Sequence, residues 1–211
     1  MATRFPDGAV EAAIVETPIH EDRHTVASLH ELGTDWRLAA GAESLAPRRP
    51  AALVWACTSG SFVYGLEGAR EQAAKLGAVA GVPATSTSLA FLDAIAALEI
   101  DRVSIAATYP AEVAERFEAF LGEAGIEVLG LRANDIPTAA DAGRVDPAAV
   151  TRLVQAGDAP GAEAVLVPDT ALHTVRGLDE LEAAVGKPVL TANQVSAWAG
   201  LRLAGEDTPL R

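Results

Sequence analysis

Two stretches of this chain read as copies of one another. Ala52-Leu-Val-Trp-Ala-Cys57-Thr-Ser-Gly-Ser-Phe-Val-Tyr-Gly65 aligns without gaps on Ala164-Val-Leu-Val-Pro-Asp169-Thr-Ala-Leu-His-Thr-Val-Arg-Gly177. Each is an apolar run, then a reactive side chain followed by Thr, then Gly eight positions on. The only cysteine, Cys57, falls opposite Asp169. The likeness continues in Gly81-Val-Pro83-Ala-Thr-Ser-Thr-Ser88 against Gly186-Lys-Pro188-Val-Leu-Thr-Ala-Asn193. A third echo sets Ala12-Ala-Ile-Val-Glu-Thr-Pro18 against Ser104-Ile-Ala-Ala-Thr-Tyr-Pro110. The echoes run in the same order with a period too long for a solenoid, so the chain has two related halves. Open α/β sheets place chemistry where a buried strand ends and feeds a helix. Two copies imply two strand ends facing one cleft, Cys57 against Asp169.

Short apolar runs alternate with helical patterns along the whole chain, which favours parallel sheets over a mixed arrangement. Strands are expected at Ala12–Glu16, Ala52–Ala56, Val82–Thr85, Arg102–Ala107, Glu127–Leu131, Ala164–Val167 and Val189–Thr191. Helices are expected at Glu67–Leu76, Ser88–Leu98, Ala111–Gly122, Pro147–Gln155, Leu178–Val185 and Gln194–Leu203. Ser88, Pro110 and the Asp146-Pro147 pair supply helix-start signals. Between His20 and Arg48 the pattern predicts one helix near Thr25–Leu32, then an extended segment. The architecture that follows is α/β, with two Rossmann-like lobes related by a pseudo-twofold axis around a cleft. Residues 1–90 plus 195–211 are assigned to the first lobe and 91–194 to the second. The helices after Ser88 and Asn193 cross between them.

Half of the residues are apolar, enough for a sizeable core. No apolar run reaches the roughly 20 residues that cross a bilayer. The opening Met1-Ala-Thr-Arg-Phe-Pro6 carries no signal-peptide core, and a lone cysteine fits a reducing cytoplasm. A net charge of −13 opposes partners such as nucleic acid or an anionic membrane. No Gly-x-Gly-x-x-Gly or P-loop follows any strand, which removes nucleotide chemistry. His20 and His24 stand four apart, but Glu21-Asp22-Arg23 between them reads as solvated surface and no third ligand has a zinc spacing, so no metal is expected.

Cys57-Thr-Ser-Gly-Ser-Phe62, Ser86-Thr-Ser-Leu89, Ala107-Thr-Tyr109 and Ala192-Asn-Gln194 followed by Trp198 carry a resemblance. From about Glu11 to Gly205 the chain resembles the aspartate/glutamate racemase superfamily, in its branch of maleate cis-trans isomerases and arylmalonate decarboxylases. The resemblance implies a cofactor-independent enzyme with its site between two lobes, a small carboxylate or dicarboxylate as partner, and allows a homo-oligomer. Where members use two cysteines, these flank the substrate. Here the second position is Asp169, and the segment before Cys57 and the end of the chain are short.

Cys57 is the candidate nucleophile, with Thr58, Ser59 and Ser61 after it to stabilise a thiolate or an adjacent carboxylate. Asp169 is either a general acid or base in place of the second thiol, or a helix cap. Tyr109 matches a tyrosine that hydrogen-bonds a substrate carboxylate in relatives, or packs at a rim. Thr58, Ser59, Thr170 and Ala171 are candidates for cradling carboxylate oxygens through backbone N–H groups. Neutral donors of this kind bind an anion without Lys or Arg, which suits an acidic protein. Asn193 either orients a second carboxylate or caps its helix, and Ser86 with Thr87 holds the matching place in the first lobe. Isomerisation like that of maleate is the first expectation, with the Cys57 thiolate adding to an alkene that then rotates. Decarboxylation of a substituted malonate, with Cys57 as proton donor, is the alternative. A non-catalytic ligand-binding member of the superfamily is the third.

Overall fold

The computed structural model describes residues 2–4, 10–19 and 21–210. It opens with an antiparallel pair, β1 (Ala2–Arg4) and β2 (Glu11–Ala13), then α1 (Val26–Leu32) and α2 (Asp35–Leu45). β3 (Leu53–Trp55), α3 (Ser59–Phe62), α4 (Gly65–Ala80), β4 (Ala84–Ser86) and α5 (Thr87–Ala97) complete the first half. The second half runs β5 (Arg102–Ala106), α6 (Ala111–Glu123), β6 (Glu127–Arg132), α7 (Ala139–Ala142) and α8 (Pro147–Gly157). It ends with β7 (Ala164–Val167), α9 (Leu178–Val185), β8 (Val189–Thr191) and α10 (Ala192–Leu203).

Two parallel sheets result, β3-β4 and β6-β5-β7-β8. Their registers repeat. Leu53 stands opposite Ala84 and Trp55 opposite Ser86 in the first sheet; Val165 stands opposite Val189 and Val167 opposite Thr191 in the second. These are the same pairs at the sequence offsets of 112 and 105. α5 and α10 start at matching places and pack on each other, with the Thr87 and Ser196 hydroxyls 2.7 Å apart. α10 also reaches β3, β4 and β8, as expected for a helix that crosses between halves.

The core joins the halves through aromatic rings. Phe62 of α3 lies 5.1 Å from Phe117 of α6 and 5.9 Å from Tyr109, and Phe91 of α5 lies 5.5 Å from Phe117. All four rings are fully buried or nearly so. α6 presents Val113, Ala114, Phe117, Phe120 and Leu121 on its buried face, the three-and-four spacing of an amphipathic helix. Cutting Phe117 to Ala in such surroundings costs about 3–5 kcal/mol. No helix among the described residues is long and apolar enough to cross a membrane.

Several local expectations change. The segment expected to be extended after Leu32 is α2. Its Leu38 and Ala42 pack against Leu53, Trp55 and Leu76, and this tertiary face outweighs the break suggested by Gly33-Thr34. The strand expected at Ala12–Glu16 is shorter and antiparallel, because residues 2–4 supply a partner close in sequence that needs no crossover. Ser86, not Ser88, caps α5: its backbone is extended and its hydroxyl accepts from the Leu89 N–H. The helix expected at Glu67–Leu76 extends over Gly65–Ala80 and stops at Gly81, whose φ of 69° suits glycine. Asp146 caps α8 through the Ala149 N–H at 2.7 Å, with Pro147 at the first helical position, as expected.

Candidate active site

Cys57 and Asp169 follow β3 and β7, so the repeated registers deliver them to matching positions at the sheets' carboxyl ends. They meet in one cluster. The Asp169 charge reaches the Cys57 sulfur, and both act on the Tyr109 phenol. Burial pushes the Cys57 thiol up to about 11, and the nearby Asp169 carboxylate adds to that rise. The Gly60 N–H and the Ser59 hydroxyl and N–H oppose it by favouring the thiolate, without overcoming the loss of water. A glycine is needed at position 60. A Cβ there would stand 2.8 Å from the Trp55 ring and 3.2 Å from the thiol sulfur.

Asp169 is 4% exposed and is not a helix cap. One carboxylate oxygen accepts from the Thr108 hydroxyl, and the other accepts from the Ala171 N–H at 2.8 Å in a tight turn. The Ala171 N–H is therefore spent on Asp169, in place of the expected role as a free carboxylate donor. Tyr109 is buried with Cys57, Thr58, Ser59 and Asp169 around it, so it is no rim residue. Its hydroxyl donates to the Pro168 carbonyl. Burial first, then the Asp169 and Cys57 charges, raises the phenol well above its ordinary value. The Thr58 hydroxyl lies close enough to influence that phenol, yet is buried without a well-formed hydrogen bond.

Asn193 neither caps its helix nor points an unengaged amide at the cluster. Its Nδ2 donates to the Thr170 and Leu172 carbonyls at 3.0 and 2.9 Å and so holds the loop behind Asp169. Thr191 is the cap, with the Gln194 side chain accepting from its N–H at 3.2 Å. Ser86 is likewise engaged, its hydroxyl 2.8 Å from that of Ser61 and 3.1 Å from that of Ser88, with Ser88 closing the ring to Ser61 at 2.7 Å. This buried triangle pins α3, and with it Ser59 and Gly60, onto the first sheet. Thr87 bonds to Ser196 between helices.

Sequence reasoning passed over Thr108 and weighed His24 only as half of a metal pair in a segment read as solvated surface, whereas His24 is buried. Thr108 stood within the quoted Ala107-Thr-Tyr109, and its role needed only the pairing of β5 with β7. The spacing of His24 from His20 gave no hint of its place beside Tyr109. Its ring packs edge-on to Tyr109 at 4.9 Å, its Nδ1 bonds the Ile136 carbonyl at 2.8 Å, and its N–H donates to Pro137. His20 lies outside the described residues, and His173 is exposed. Among the described residues no three His, Cys, Asp or Glu side chains group as metal ligands. A groove of about 450 Å³ where the C-terminal tail crosses α5 and α10 is lined by Trp198, Arg202, Asp207 and Leu210, remote from this chemistry.

Residues 33–210 match the family model for arylmalonate decarboxylase, which takes in both Cys57 and Asp169. The chain belongs to the arylmalonate decarboxylase family. It is 35% identical over 127 residues to the arylmalonate decarboxylase of Bordetella bronchiseptica, covering 59% of this chain and 53% of that protein. It is 28% identical over 121 residues to the maleate isomerase of Pseudomonas putida, covering 57% and 48%. The match thus spans about half the length of these curated relatives. A liganded arylmalonate decarboxylase, in which one glycine is changed to cysteine and one cysteine to serine, superposes with a TM-score of 0.83. That likeness has 28% identity and covers 90% of this chain and 80% of the other.

Proposed function

We propose that this chain is a cofactor-independent enzyme of small carboxylates that removes CO2 from a substituted malonate, with Cys57 as the acid. One observation carries this reading: Cys57 sits half-buried at the end of β3 with the fixed Asp169 carboxylate nearby, and the loss of water together with that charge favours the protonated thiol. A neutral thiol gives a proton, whereas addition to an alkene needs the thiolate. In the proposed step the bond from the α-carbon to one carboxylate breaks and CO2 departs. The electron pair stays on the α-carbon as an enediolate, and the Cys57 S–H proton passes to that carbon. Thr58 and Ser59 are the neutral donors for the oxygens of the retained carboxylate, with the Tyr109 ring closing the site beside them. Stabilising charge that develops in a water-poor site is where such donors act most strongly. Asp169, with both oxygens already accepting, acts through its charge, adding to the loss of water that keeps Cys57 in the acid form.

The second reading, isomerisation of a maleate-like diacid, is supported by the likeness to maleate isomerase. It requires Cys57 to ionise on substrate binding. Phenylmalonate and maleate incubated separately with the protein in D2O and followed by NMR separate the two. The expected result is phenylacetate carrying one deuterium at the α-carbon. Fumarate from maleate, without decarboxylation, would reverse the order. Binding of either diacid with no turnover would leave the non-catalytic reading.

A further inference from the structure

The second sheet has a strand with no counterpart in the first. β7 pairs with β8 on one side and with β5 on the other, Val103 opposite Ala164 and Ser104 opposite Val165. Its counterpart β3 pairs with β4 alone among the described residues. The echo of Ala12–Pro18 in Ser104–Pro110, an offset of 92, maps β5 onto the residues that begin at Glu11. Carried across, the β5–β7 register puts Glu11 opposite Ala52, Ala12 opposite Leu53 and Ala13 opposite Val54.

The composition agrees. β5 is buried on both faces from Val103 to Ala106, and Ala12-Ala-Ile-Val15 is apolar on both faces too. In the two-stranded ribbon this run stays partly exposed, with Ile14 65% exposed. Isolated two-stranded ribbons are marginal in water. The end of the run already lies beside the first sheet's layer. The Thr17 methyl crowds Gly41 of α2, where a Cβ would come within 2.9 Å, and Arg37 donates to the Pro18 carbonyl. α2 in turn packs on Leu53 and Trp55.

We propose that residues 11–16 dock parallel to β3 as the counterpart of β5, setting the Glu16 carboxylate against the Cys57 thiol. Glu16 is the counterpart of Thr108, and Thr108 meets Asp169, the counterpart of Cys57. Docked, Glu16 is the proton relay of the only cysteine. After Cys57 gives its proton to carbon, the Glu16 carboxylate picks up a proton from hydronium or a buffer acid and passes it to the thiolate, which returns both groups to their starting forms. The relay rests on the decarboxylation reading; the strand placement does not.

Two measurements independent of turnover test the placement. In a Cys57→Ser background, Glu11→Cys with Ala52→Cys is oxidised alongside Ala2→Cys with Ala13→Cys, whose positions are opposite in the ribbon. The first pair is expected to close an intramolecular disulfide; closure of the second pair alone overturns the proposal. The second measurement is the pH profile of Cys57 alkylation by iodoacetamide, in the wild type and in Glu16→Gln. The titratable neighbours of the thiol are Asp169 and Tyr109, with His24 edge-on to the latter. Removing a docked carboxylate takes away a like charge, so the profile moves to lower pH by about one unit, tenfold in rate at a fixed lower pH. An unchanged profile overturns the proposal even where the disulfide variants do not fold, and Asp169→Asn shows that such a shift is readable. A shifted profile without turnover would count against the reaction and leave the strand in place.

Discussion

The Thr108 hydroxyl, just past β5, donates to the carboxylate of Asp169, just past β7. The bond ties together the ends of two adjacent parallel strands. It also aims the Asp169 charge at Cys57 from a fixed place, because the Ala171 N–H holds the other oxygen. This arrangement makes Asp169 an electrostatic neighbour of the thiol more than a proton donor in its own right.

Asp169→Asn tests that distinction. The amide oxygen still accepts from Ala171, and the Thr108 hydroxyl turns to accept from the amide nitrogen, so the loop holds. Losing the charge lowers the Cys57 titration from about 11. Turnover at neutral pH is expected to change by less than about tenfold, because burial alone keeps the thiol protonated there and only the charge contribution, on the scale of one pKa unit, is lost. A fall of roughly 10²–10⁴ would instead mark Asp169 as the acid or base itself. Steady-state rates and a thiol alkylation profile on the same variant read both effects.

Cys57→Ser should leave the circular dichroism spectrum and melting temperature nearly unchanged, since the hydroxyl fits the same space. Turnover should vanish, because an alcohol is a far weaker proton donor in this setting. Activity within tenfold of the wild type would take the thiol out of the reaction. A prochiral substrate such as 2-methyl-2-phenylmalonate should give one enantiomer from the wild type, the proton arriving from the first-sheet side only. A racemic product would show that Cys57 does not control delivery.

The half-buried thiol also sets a pH dependence of stability. Its folded value of about 11 lies above the value near 9 expected when unfolded. The native state therefore keeps a proton that the unfolded chain releases. The resulting stabilisation is fully present below pH 9 and is lost as pH rises towards 11, on the order of 2 kcal/mol in all. Chemical denaturation across that range should show the decline, and it should be smaller in Cys57→Ser. Tyr109, also raised, contributes above its ordinary value of 10 and remains in that variant.

Tyr109→Phe removes the donor to the Pro168 carbonyl and a hydroxyl beside Thr58 and Ser59. The buried carbonyl left without its partner costs about 1–3 kcal/mol in stability. KM for a malonate should rise more than kcat falls if the hydroxyl meets a substrate oxygen. Unchanged kinetics with lowered stability would confine the hydroxyl to holding the turn before Asp169.

The duplication was legible in the sequence, and so was what depends only on local pattern. Apolar runs bounded by Gly and Pro marked β3, β5, β7 and β8, and the offsets of 112 and 105 between copies reappear as equal sheet registers. Cys57 and Asp169 stood out because each ends such a run. Other features depended on partners distant in the chain. α2 is a helix because its apolar face finds Leu53, Trp55 and Leu76, a contact that no window around Gly33-Thr34 contains. The Ala171 N–H and the Asn193 amide looked like donors for a ligand, but they are consumed by Asp169 and by the Thr170 and Leu172 carbonyls once the loop folds back. The thiol's protonation state was out of reach for the same reason. The sequence places Cys57 before hydroxyls and backbone N–H groups that favour a thiolate, whereas burial and the Asp169 charge, both products of tertiary packing, push the other way and prevail.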